Sequence, residues 1–200
     1  MFRKVKDDIY SVGVIDWHRK LFDELIPLPD GTSYNSYFVR GEEKNAIIDT
    51  VEPDFVEDFF NNLDDLGVEK IDYIISNHAE QDHSGSIPHL LKKFPEAEIL
   101  SSQKAKPMLI DLLELGADQI RAVEDGETLD LGGKTLEFIE TPWVHWPETM
   151  STYLQEENTL FSCDFFGSHL ATSDLFVEDE HEVYKAAKRY YAEIMMPFRM

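Results

Sequence analysis

The chain has 200 residues, with 40 Asp and Glu against 18 Lys and Arg, a formal charge of −22. Such a charge repels phosphate backbones and anionic lipid headgroups, which excludes nucleic acid and membrane surfaces as partners. Hydrophobic residues make up 42% and aromatics 12%, too much apolar content for an acidic disordered chain. A single cysteine, Cys163, leaves no internal disulfide and fits a reducing compartment. There is no apolar run of about 18 residues and no charged-then-apolar leader, so the expectation is a cytoplasmic domain.

In chain order, residues 9–14 form a short β-type run. Residues 34–39 alternate aromatic and polar side chains, as a half-buried strand does, and residues 45–49 return as a buried strand. Pro53 and Asp54 open an amphipathic helix with Phe55, Phe59, Leu63 and Leu66 near one face, closed by Gly67. Strand and helix then alternate: strand 71–76, helix 84–94 ended by Pro95, strand 98–101, helix 105–115 closed by Gly116. Residues 120–141 read as three strands with a hairpin at Gly132 and Gly133. Residues 150–154 and 159–162 form a second hairpin, its last strand running on to Asp164. An acidic start favours a helix over 178–195. Strands, then alternation, then strands again predict a layered α/β domain.

The chemistry concentrates in residues 77–85, where His78, Glu80, Asp82 and His83 follow a buried strand and precede a helix. Loops at the C-terminal ends of strands are where α/β folds put ligands. In an extended segment residues two apart point the same way, so His78, Glu80 and Asp82 can converge while His83 reaches a second point. One segment could then serve two adjacent cations. His145 lies in a Trp- and Pro-rich loop between Trp143 and Trp146, and Asp164 and Asp49 each end a strand. Asp164 is the best placed to bridge two metals through its two oxygens.

Each residue also has an ordinary reading. A lone strand-end histidine is usually a hydrogen-bonded loop residue, and a lone aspartate there is usually a turn or helix cap. His18, His89, His169 and His181 take that reading, His18 least securely because it lies between Trp17 and Arg19. Cys163 reads as a buried core thiol. Tyr34, Trp143 and Trp146 read either as pocket wall or as packing.

The order Asp49, His78 cluster, His145, Asp164 resembles the metallo-β-lactamase fold, an αββα sandwich with a two-metal site. Glu80 stands where the hydrolytic members have histidine, and that change resembles the flavodiiron proteins (A-type flavoproteins). Residues 31–37, 77–85, 141–147 and 160–164 carry further likeness to that family. A carboxylate in place of an imidazole suits iron that cycles between ferrous and ferric. The resemblance implies a diiron oxidoreductase that reduces O2 to water or NO to N2O. It implies His78, Glu80 and His145 on one iron, Asp82 and in some members His83 on the second, Asp164 bridging, and Asp49 as support.

The resemblance also implies what lies beyond these residues. Members take one more histidine from a later loop and continue into a flavodoxin-like domain that binds FMN. Residues 1–200 are therefore expected to be an incomplete metallo-β-lactamase-like domain. The implied donor is rubredoxin or a reduced deazaflavin, and the implied assembly is a head-to-tail homodimer. Two alternatives stay open: a zinc-dependent hydrolase of the same fold, and a diiron oxygen-sensing module with no flavin domain.

Overall fold

The computed structural model describes residues 1–198. The chain begins with β1 (Arg3–Lys6), β2 (Ile9–Ser11), β3 (Val14–Asp16), β4 (Leu21–Phe22), β5 (Ile26–Pro27), β6 (Thr32–Tyr34), β7 (Tyr37–Arg40) and β8 (Asn45–Ile48). It continues through α1 (Val56–Asp65), β9 (Tyr73–Ser76), α2 (Gln81–Ser84), α3 (Ile87–Lys93), β10 (Glu98–Ser102), α4 (Ala105–Leu113) and β11 (Ile120–Val123). It ends with β12 (Thr128–Asp130), β13 (Thr135–Glu140), β14 (Met150–Leu154), β15 (Thr159–Phe161) and α5 (Glu180–Tyr190).

Two sheets carry the fold. The larger runs β1-β2-β7-β8-β9-β10-β11 and the smaller β12-β13-β14-β15. The large sheet is antiparallel up to β8 and parallel from β8 to β11. The switch falls where helices enter the chain, because parallel neighbours need a crossover rather than a tight turn. The small sheet is antiparallel throughout, and its first hairpin turns at Gly132 (φ 83°) and Gly133 (φ 73°). Two successive positive φ values suit glycine and a tight hairpin.

Side-chain alternation divides the core. Ile47, Ile74 and Ile99 face Phe59, Leu63, Leu90 and Leu109 of the helices. Their neighbours Ile48, Ile75 and Leu100 face Leu136, Phe138, Met150 and Leu154 of the small sheet. Runs of consecutive apolar residues in β8, β9 and β10 follow from this, since both faces of those strands are buried. Helix, sheet and sheet stack in the expected α/β layers. The helix α5 packs apart from them, through Tyr190, Ile194 and Met195 against Phe22, Ile26 and Val144. Its N-cap Asp179 accepts from the amides of His181 and Glu182, and a π-helical turn carries it on to Met195. Among the described residues no helix is long and apolar enough to cross a membrane.

The predicted elements exist with shifted bounds. Residues 9–14 split between β2 and β3, and 34–39 between β6 and β7, so each run serves two sheets. Val12 donates to the Ser36 carbonyl at 2.9 Å, and Ser36 Oγ donates to the Asp49 carbonyl at 2.8 Å, which fixes that change of sheet. The helix expected over 84–94 is α3, Ile87–Lys93, and a separate short helix, α2, precedes it over Gln81–Ser84. The last strand stops at Phe161, and Asp164 lies in a 3-10 turn over Cys163–Phe166. The ribbons β3–β6 and β4–β5 had no periodic signal because each is only two or three residues long.

Asp72 pins the entry to β9. Its Oδ2 accepts from the Asn45 amide at 2.9 Å, and its Oδ1 accepts from Lys44 at 3.2 Å and from Lys70. Burial pushes its carboxyl up, but the bonds from Lys70, Asn45 and Lys44 outweigh that and hold it below the usual range. A depressed carboxyl stabilises the fold above its unfolded pKa, and that stability is lost as pH falls through the lower folded value. Asp72→Asn is expected to cost about 1–2 kcal/mol at neutral pH and to flatten the acid limb of stability, read by urea melts across pH.

Candidate metal centre

Two adjacent strand ends frame the site. Asp49 follows β8 in a left-handed conformation (φ 55°), and its amide still donates to the Ile75 carbonyl at 2.8 Å. Its carboxylate turns across to Asn77, where Oδ1 accepts from the backbone amide at 2.7 Å and Oδ2 from the side chain at 3.2 Å. Asn77 Oδ1 accepts from the Thr152 hydroxyl at 2.7 Å, which ties the end of β9 to the small sheet. The very next residue is His78. Asp49 thus acts on the site by holding the backbone, and burial pushes its carboxyl up to about 6 despite opposing contributions from His83, Asn77 and His78.

Four ligand atoms, one each from His78, Glu80, His145 and Asp164, lie within 4.8 Å of one another. Glu80 Oε2 is 3.2 Å from His78 Nε2 and 3.0 Å from His145 Nε2. Asp164 Oδ2 is 3.6 Å from His78 Nε2 and 3.4 Å from His145 Nε2. The other oxygen, Oδ1, is 3.0 Å from His83 Nε2, and Asp82 Oδ2 is 3.7 Å from the same nitrogen. One carboxylate therefore faces two groups of donors: His78, Glu80 and His145 on one side, Asp82 and His83 on the other.

The local fold explains this division differently from the spacing argument. Glu80 does have extended backbone (φ −62°, ψ 148°), and its carboxylate converges with the His78 ring. At Gln81 the chain enters α2, so Asp82 and His83 leave the alternation and turn to the second side together. The His83 carbonyl accepts from the Thr50 amide and hydroxyl, at 2.6 and 2.8 Å, which holds that turn against the end of β8.

Electrostatics indicate what the centre lacks. Burial pushes the His78 and His145 imidazoles down, but neighbouring carboxylates outweigh it and raise both to about 9. For His78 the opposing groups are Glu148, Glu80 and Asp164, and for His145 they are Asp164 and Glu80. Burial pushes Glu80 up, and the two imidazoles overturn that to hold it at about 2. Asp82 is raised to about 6 by burial and by the charges of Asp164 and Glu80, against the pull of His83 and His78. Asp82 Oδ1 and His83 Nδ1 are buried with no hydrogen-bond partner among the described residues. A cluster of imidazoles and carboxylates that draws protons in this way fits divalent cations, which supply the missing positive charge.

Two cavities open on the centre. The larger, about 630 Å³, reaches Asp82, His83 and Asp164. The smaller, about 300 Å³, reaches Glu80 and Asp82 past Arg19, Asp23 and Glu52. Tyr34 lines both, with its hydroxyl donating to Asp16 Oδ2 at 3.2 Å, and Trp146 lines the smaller while standing edge-on to His78. Trp143 is 43% exposed and lines neither, so it is not pocket wall. Cys163 belongs to no apolar core cluster and lines the larger cavity, where burial pushes its thiol up. His18, His89 and His181 stay outside both cavities. His169, read from sequence as an ordinary loop histidine, stands in the wall between them, its ring against Phe22 and Tyr190. Burial pushes its imidazole down to about 4. Sequence reasoning also missed Glu148, whose buried carboxylate lies 2.7 Å from His78 Nδ1. Seventy residues separate the two, and no spacing connects them.

Helices on one side of two facing sheets, with histidines and carboxylates gathered from strand-end loops, define a metallo-β-lactamase-like domain. The model of the ODP family of beta-lactamase domains matches residues 32–199, and the chain belongs to that family. It is 37% identical over 203 residues to flavo-diiron protein FprA2 of Clostridium acetobutylicum, covering 98% of this chain and 50% of the relative. It is 41% identical to the anaerobic nitric oxide reductase flavorubredoxin of Salmonella arizonae, covering 97% of this chain and 41% of the relative. Among solved structures, rubredoxin oxygen:oxidoreductase from Desulfovibrio gigas matches with a TM-score of 0.94 at 32% identity, over 99% of this chain and 50% of that one. The chain spans about half the length of the relatives it matches.

Asp49→Ala removes the acceptor of the Asn77 backbone amide and one of the two acceptors of its side chain, leaving a buried backbone N–H unpaired. It is expected to destabilise the metal-free protein by about 1–3 kcal/mol, measured by chemical denaturation.

Proposed function

We propose that the chain is the metal-bearing part of a flavodiiron oxidoreductase that reduces O2 to water, NO to N2O, or both. The observation that carries this reading is Asp164, with one oxygen toward the His78, His145 and Glu80 group and the other toward His83. In this reading His78, Glu80 and His145 hold one iron, Asp82 and His83 the second, and Asp164 bridges them. Bound there, iron supplies electrons and open coordination positions for the diatomic substrate.

The residues do the rest by holding and excluding. Mixed imidazole and carboxylate donors suit non-haem iron better than the histidine-rich set of a zinc hydroxide site. Phe22, Tyr34 and Trp146 line the smaller cavity beside Glu80 and Asp82, a route by which a small diatomic molecule would reach the metals. His169, kept neutral by burial, adds no charge to the approach. The names of the relatives, with nitric oxide and oxygen as substrates, support the pairing of reactions. Electrons would come through FMN held in a flavodoxin-like domain outside these residues, from rubredoxin or a reduced deazaflavin. A head-to-tail homodimer would bring one subunit's flavin to the other's metals. A cytoplasmic location belongs to the same proposal and is supported by the single cysteine.

The test is metal analysis of protein expressed anaerobically with iron supplied, followed by O2 and NO consumption by the full-length protein. Iron with reductase activity is expected. Zinc alone with ester turnover would overturn the reading in favour of a hydrolase. Slow autoxidation without catalytic consumption would overturn it in favour of a sensor. Glu80→Ala is expected to lower iron content and to reduce turnover roughly 10-fold or more, since even outer partners of metal ligands cost that much.

A further inference from the structure

Glu148 is fully buried, and its carboxylate is divided between two tasks. Oε1 accepts from the Ala79 amide at 3.1 Å and lies 2.7 Å from His78 Nδ1. It therefore grips both the ring of His78 and the backbone immediately after it. The Glu148 carbonyl accepts from Ser102 Oγ at 2.6 Å, which anchors the residue to the end of β10. Oε2 is buried with no hydrogen-bond partner among the described residues, so no competing donor draws its charge away from His78.

With Nδ1–H directed at Glu148, His78 presents the Nε2 lone pair to the Glu80, His145 and Asp164 group. An imidazole bonded to a carboxylate is a more basic ligand than one bonded to a neutral acceptor. On the other side of Asp164 the arrangement differs, because His83 Nδ1 is buried without a hydrogen-bond partner among the described residues. The two halves of the centre therefore receive unequal electron density from their surroundings.

We infer that Glu148 is a positioning residue that makes the His78 side the tighter and lower-potential of the two metal positions. The inference rests on the diiron reading and adds to it a built-in order. With iron bound, the position beside His78 would fill first and would have the lower reduction potential of the pair. Extra basicity at His78 stabilises ferric over ferrous iron.

Glu148→Gln tests it, because an amide can still accept from Ala79 and His78 but carries no charge. In iron-loaded protein, chelator competition is expected to show about 10–100-fold weaker binding at one of the two positions. A redox titration followed by the signal of the mixed-valent pair is expected to show one couple raised, by about 59 mV for each tenfold by which ferric binding weakens more than ferrous. Glu148→Asp, one methylene shorter, withdraws the carboxylate from Nδ1 and is expected to move both quantities in the same direction. It decides the question if the amide variant does not fold. Affinity and potential equal to the parent's in the folded variants overturn the inference. His78→Ala separates the two levels. If it loses iron while the Glu148 variants match the parent, only this inference fails, whereas unchanged iron in His78→Ala removes the diiron reading itself.

Discussion

Glu80, Asp82, Glu148 and Asp164 are gathered at one edge of an apolar sandwich, and this crowding of like charge is the constraint on which the site depends. A carboxylate taken out of water costs several kcal/mol unless it is paired. Here the pairing comes from His78, His83 and His145, which are driven toward their protonated forms. Protons leave the pairing incomplete, since Asp82 Oδ1 has no hydrogen-bond partner among the described residues. Divalent cations relieve the repulsion between the acids and restore the imidazoles to neutral ligands. The overall charge of −22 contributes little to this, because most acids lie on the solvated surface, where salt screens them.

Such a cluster needs a frame that does not yield to its internal repulsion. The frame is the pair of parallel strands β8 and β9, buried on both faces and joined beyond their ends by the Asp49–Asn77 bonds. Asn77 then reaches the small sheet through Thr152 and the Phe161 carbonyl, so the two sheets meet one residue before the first histidine. Asp164 comes from the turn just after β15, whose Phe161 is part of the inter-sheet core. The site residues are distant in sequence but rest on a single packed seam. Imidazoles and carboxylates on that seam are placed to hold metals at fixed separation, with two cavities opening beside them.

Much of this was legible in the sequence, for identifiable reasons. Buried parallel strands announce themselves as apolar runs, so β8, β9 and β10 and the residues just beyond their ends could be placed. His78 and Glu80 were legible because two ligands in one extended segment share a face. Asp82 and His83 were legible as candidates but not in their geometry, since a four-residue helical turn carries no periodic signal. Asp164 was legible as a candidate, but its local structure was not: a 3-10 turn stands where a strand was expected. Glu148 and His169 were invisible for another reason. Their roles arise from three-dimensional neighbours, His78 for one and the two cavities for the other, and neither has a spacing that points to its partner. Trp143 failed as pocket wall because an aromatic loop residue can as easily face water, and this one does.

Asp164 stands between two groups of donors, and the proposed function requires one metal on each side of it. X-ray absorption on the iron-loaded protein reads it directly. The predicted result is a metal–metal vector at about 3.5–4 Å, the separation of carboxylate-bridged two-metal sites. An iron shell with only nitrogen and oxygen scatterers in fully loaded protein would contradict it.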